Sequence, residues 1–144
     1  MHYEQLKQTW AELTGPGQPF EVGRVEVRGQ SLLTFKNAPP TVREVWLSTA
    51  QFADREYMVY QDERMTYGEA HELVRRIAGW LVRQGVQPRD RVAIAMRNYP
   101  EWMLIYWACA CVGAAAVGMN AWWVPEEMAT GLRDAEPKVL FCDE

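Results

Sequence analysis

The sequence predicts an α/β fold: an open, mostly parallel sheet with helices on both faces, preceded by a short hairpin and helix segment. Three observations carry that expectation. Val92–Met96 is a short apolar run between Asp90-Arg91 and Arg97, the pattern of a strand buried on both faces. Trp102–Val112 carries no charge and is framed as a buried helix. Pro100 stands where a helix favours its first residue, Glu101 where the dipole favours an anion, and Gly113 where a left-handed cap belongs. Ala114–Met119 and Val139–Cys142 then return to short uncharged stretches, so strand and helix alternate as parallel crossover units require.

Taken in chain order, Tyr3, Leu6, Trp10 and Leu13 are spaced for an amphipathic helix, ended by the linker Thr14-Gly15-Pro16-Gly17. Phe20–Val27 and Gln30–Phe35 alternate on either side of Arg28-Gly29 and read as a hairpin covering a sheet edge. After Pro39-Pro40, Thr41 with Glu44 three residues on caps a helix whose apolar face is Val42, Val45, Trp46 and Phe52. Tyr57–Gln61 is a strand, turned by Asp62-Glu63-Arg64 into Met65. Thr66 and Glu69 have capping-box spacing, opening a helix that buries Tyr67, Ala70, Leu73, Val74, Ile77 and Leu81. Gly85, Val86 and Pro88 end it in a Schellman motif. Beyond the central unit, Asn120–Val124 is a loop, and Pro125-Glu126-Glu127 starts a helix with Met128 and Leu132 inward. The expected division is residues 1–56, holding helix, hairpin and helix, and residues 57–144, holding the α/β subdomain.

Composition narrows the function classes. The chain of 144 residues is 49% hydrophobic and 24% charged, enough apolar surface for a core. Its net charge of −4 speaks against nucleic acid as a partner, because phosphates need clustered cations. Arg75, Arg76 and Arg83 are interspersed with Glu69 and Glu72 and read as a solvated helix face. The three cysteines, Cys109, Cys111 and Cys142, have no framework or metal-ligand spacing, so reduced thiols in a cytoplasmic protein are expected. No signal peptide is expected from the polar start. Residues 102–119 form an uncharged run of 18 residues, long enough for a membrane span. Gly113, Gly118 and the small Ala114–Ala116 favour a helix followed by a buried strand instead.

The residues that carry chemistry are sparse. No glycine-rich phosphate cradle, no dinucleotide fingerprint and no nucleophile elbow is present. No catalytic residue and no metal ligand is assigned. His71 beside Glu72 reads as a surface histidine. Trp80, Trp102 and Trp107 read as helix-packing residues. Trp122 and Trp123 follow a strand at its carboxyl end, where open parallel sheets bind ligands. They shape a pocket or entrance there, or pack against another part of the protein.

Five blocks in register go further: Met65-Thr66-Tyr67-Gly68-Glu69; Gly85-Val86-Gln87-Pro88-Arg89-Asp90-Arg91-Val92-Ala93-Ile94; Asn98-Tyr99-Pro100-Glu101-Trp102; Gly113-Ala114-Ala115-Ala116-Val117-Gly118-Met119-Asn120; and Pro137-Lys138-Val139-Leu140-Phe141. Together they resemble the amino-terminal part of the adenylate-forming acyl-CoA synthetases, well over residues 57–144 and loosely before that. The resemblance implies a ligase that activates a fatty or aromatic carboxylic acid with ATP and Mg²⁺ and passes the acyl group to CoA. It also implies an incomplete enzyme, inert alone and holding none of these cofactors tightly, since the family's phosphate loop and catalytic lysine match positions beyond Glu144. Such a segment is expected to self-associate through uncovered apolar surface. By the same resemblance, Asn120 and Trp122 would lie on the CoA side, the aromatic against the adenine, although tandem Trp122-Trp123 departs from the family's commoner polar loop. The competing expectation is a stand-alone doubly wound binding or interaction module.

Overall fold

The computed structural model describes residues 2–143, and its contacts divide the chain into two units between Pro40 and Thr41. The expected boundary at 56/57 falls later, because residues 41–56 pack into the second unit. Trp46, 1% exposed, is among the largest fully buried side chains.

In the first unit, α1 (His2–Thr14) precedes an antiparallel hairpin of β1 (Val22–Val27) and β2 (Gln30–Phe35). Arg28 and Gly29 both have positive φ, as a two-residue loop of the primed kind demands. No residue between His2 and Pro40 is buried.

The second unit begins with α2 (Val42–Ser48), where the Thr41 hydroxyl accepts the Glu44 N–H at 3.3 Å. Its expected apolar face is only partly realised. Trp46 points inward, whereas Val42 and Val45 are exposed, because the helix is short and passes into a 3₁₀ turn at Thr49–Phe52. Next come β3 (Glu56–Tyr60) and β4 (Glu63–Thr66), paired antiparallel in their own two-stranded sheet. The single strand expected at 57–61 is thus half of a hairpin.

Helix α3 (Tyr67–Arg83) starts with the full capping box: the Thr66 hydroxyl accepts the Glu69 N–H at 3.2 Å, and Glu69 accepts the Thr66 N–H at 2.8 Å. The Thr66 N–H, and after it the Thr66 hydroxyl, which donates to Glu69 Oε2 at 3.0 Å, hold the Glu69 carboxyl below its ordinary range. At the other end Gly85 has φ +79°. The Val86 N–H reaches the Leu81 carbonyl and the Gly85 N–H the Val82 carbonyl, the two bonds of a Schellman motif. Val86 is buried.

The main sheet is parallel in the order β6 (Ala115–Gly118), β5 (Arg91–Ala95), β7 (Val139–Cys142). β5 is central and buried on both faces, as its unbroken apolar run required. Val92 and Ile94 join the core formed with α3 and α4 (Pro100–Val112), while Ala93 and Ala95 meet Met119, Met128 and Leu132 on the side of α5 (Pro125–Ala135). Helices therefore cover both faces. α4 ends at Gly113, φ +76°, with Ala114 N–H returned to the Cys109 carbonyl. The long uncharged run is thus split between α4 and β6, and no helix among the described residues is long and apolar enough to cross a membrane. At the start of α5, Glu127 accepts the Val124 N–H at 3.1 Å. The valine side chain has no oxygen to accept the Glu127 N–H in return, so only half of a reciprocal cap forms.

One packing column ties these parts together. Trp46 stacks on His71 at 4.1 Å and on Trp107 at 5.0 Å, with Tyr57 edge-on at 5.5 Å. Trp107 Nε1 donates to the Tyr57 hydroxyl at 2.7 Å. Thr49 Oγ1 spends its proton on the Trp46 carbonyl, so at 3.0 Å from His71 Nε2 it accepts. His71 is therefore a half-buried packing residue, not the surface histidine expected. The three cysteines are free thiols. Burial pushes the Cys109 thiol up to about 11, which leaves it unreactive.

Candidate functional site

Because β5, β6 and β7 are parallel, the segments after them gather at one edge of the sheet: Met96–Tyr99, Met119–Val124 and Asp143. Arg97 Nε donates to Asp143 Oδ2 at 2.6 Å, and the Arg97 backbone N–H reaches the same oxygen at 3.3 Å. The guanidinium holds the Asp143 carboxyl below its usual range. It also lies over the Tyr99 ring at 5.2 Å, and Tyr99 meets Tyr60 edge-on at 5.9 Å. Between β3 and the start of α4, Tyr60 and Tyr99 border a groove of about 260 Å³, with Asn98, Trp102 and Met103 in its wall. The Arg97–Asp143 pair was not legible in the sequence. Both residues visibly follow strands, but only the strand order makes them neighbours.

The second feature of this edge is the loop after β6. Asn120 Oδ1 accepts the Trp122 N–H at 3.0 Å, and the Asn120 carbonyl accepts the Trp123 N–H at 3.1 Å. This tight turn separates the two indoles. Trp122 stands in solvent, 82% exposed, whereas Trp123 is 38% exposed and lies against α5. Of the alternatives posed for the tandem, packing against another part of the protein holds for Trp123. Beside Trp123 the α5 surface is acidic, with Glu126, Glu127 and Asp134 around an open groove of about 460 Å³. A polyanion approaching Trp122 would have to keep its phosphates away from that side.

These residues do not fit a metal–nucleotide site. Asp143, the carboxylate at the end of β7, is engaged by Arg97. Among the described residues no group of three or more histidines, cysteines or carboxylates could hold a metal ion.

An open parallel sheet with its loops gathered at the carboxyl edge defines a class: α/β domains built from crossover units. Comparison with known proteins places this chain within the class. Residues 45–144 match the family model described as AMP-binding enzyme, and the chain belongs to that family. It is 32% identical over 122 residues to the medium/long-chain-fatty-acid–CoA ligase FadD6 of Mycobacterium tuberculosis, covering 83% of this chain and 20% of the relative. It is 38% identical over 86 residues to acetyl-coenzyme A synthetase of Sinorhizobium fredii, covering 59% and 13%. Among solved structures, the N-terminal domain of FACL13 from Mycobacterium tuberculosis superposes with a TM-score of 0.68 at 27% identity, over 72% of this chain and 27% of that one. The chain therefore spans a fifth or less of the length of these two curated relatives.

Proposed function

We propose that this chain is the amino-terminal portion of an ATP- and Mg²⁺-dependent acid–CoA ligase, acting in the cytoplasm on a fatty or aromatic carboxylic acid. The ligase would form an acyl-adenylate and transfer the acyl group to CoA. The observation that carries the reading is the match of residues 45–144 to the AMP-binding family on a sheet of the required topology. The names of the relatives support the acid–CoA chemistry.

In this reading the chain supplies scaffold and one substrate-facing loop. Charge developing on a transferred phosphate needs preorganised donors, and the residues described at the sheet edge are already engaged with one another. The chain by itself is accordingly inert, and its uncovered apolar residues favour self-association. Asn120 and Trp122 form the CoA-side contact: the turn holds the Trp122 indole free, and a purine can stack on it.

The test is acid-dependent pyrophosphate release over a panel of fatty and aromatic acids, comparing this chain with a polypeptide that continues through a phosphate loop and catalytic lysine. Release and acyl-CoA formation by the longer polypeptide alone are expected. Turnover by the 144-residue chain, or none by either, refutes the proposal.

A further inference from the structure

Gly131 sits in the middle of α5, where glycine weakens a helix relative to alanine. Its φ is not positive, so backbone conformation does not demand glycine. What demands it is space. A Cβ built there would stand 2.7 Å from Trp123 Cζ3 and 2.8 Å from Met119 Cε, closer than carbon atoms approach without displacement. The methionine end can swing aside, but the rim of an indole moves only with its whole ring.

Trp123 is in turn tied to the tight turn at Asn120, whose carbonyl takes its N–H while the Asn120 side chain takes that of Trp122. The bare surface of α5 thus fixes where Trp123 lies, and Trp123 fixes which way the turn presents Trp122. We infer that Gly131 is a positioning residue for the loop: it seats Trp123 on α5 so that Trp122 stays free to meet CoA. The seat is the packing half of the claim. Its consequence for CoA rests on the reading of Asn120 and Trp122 under Proposed function.

The test is a mutant cycle with two readouts. In this chain, Gly131→Ala is expected to lower the melting temperature and to shift the fluorotryptophan resonances of Trp122 and Trp123 while those of Trp46 and Trp107 stay. In a Trp123→Ala background the same substitution is expected to raise the melting temperature, because only the helix preference for alanine remains. An equal change in both backgrounds overturns the seat. In the ligase polypeptide, Gly131→Ala is expected to raise KM for CoA several-fold, with KM for ATP unchanged and Trp122→Ala doing the same. If Trp122→Ala raises KM for CoA and Gly131→Ala does not, the positioning role falls while the CoA contact stands. If neither does, the CoA contact falls, and the sign reversal in melting temperature still decides the seat.

Discussion

Two helices with the same kind of sequence meet different fates. α1 carries Tyr3, Leu6, Trp10 and Leu13 on one stripe, and all four are exposed, Trp10 at 59%. α3 carries a comparable stripe, and Ala70, Val74 and Leu81 are fully buried. The difference is not in periodicity. α3 is capped at both ends and shares its apolar face with α4 and with β5, whereas no residue between His2 and Pro40 is buried at all. An amphipathic stripe states what a helix can cover, and the neighbouring elements decide whether it is covered.

The comparison can be broken most forcefully at Trp46. Trp46→Ala would empty the centre of the column formed with His71, Trp107 and Tyr57, with an expected loss of roughly 3–5 kcal/mol. Urea unfolding followed by circular dichroism measures it, and a loss below that range would mean the column is not the core it resembles. A smaller effect is expected at the start of α3. Thr66→Ala removes the hydroxyl that accepts the Glu69 N–H and should cost about 1 kcal/mol, whereas Thr66→Ser should retain most of the stability.

A pH dependence sharpens the contrast further. Burial lowers the His71 pKa from its ordinary 6.5. The unfolded chain then takes up its proton before the folded one as pH falls, so this contribution to stability is complete above 6.5 and declines below it. Unfolding midpoints measured on both sides of that value should show the decline, and His71→Gln should flatten it. The smallest effect is expected in α1, where Trp10→Ala should change the unfolding free energy by no more than about 0.5 kcal/mol, read from the same urea titration. A large loss there would show that the first unit has a core of its own.

Much of the fold was legible because its signals are local. Thr66 and Glu69, Gly85 with Val86, and Pro100 through Gly113 each act within a turn or two of the chain, and each forms as its spacing implies. The Asn120–Val124 loop was legible for the same reason, since a strand end, an asparagine and a following proline mark it. What misled were the questions of cover. Val42 and Val45 share a periodicity with Trp46 but stay exposed, and His71, polar by type, finds an indole.

By itself, then, the sequence determined how α3, α4 and α5 are started or stopped, which strand is buried on both faces, and the five blocks that the family match later covered. Tertiary structure alone decided that β5 lies between β6 and β7, that Arg97 thereby reaches Asp143, and that one tryptophan of a tandem lies on α5 while the other faces solvent. The physical reason is range. Caps and turns are satisfied by atoms a few residues away, whereas burial and ion pairing depend on which distant segment arrives alongside.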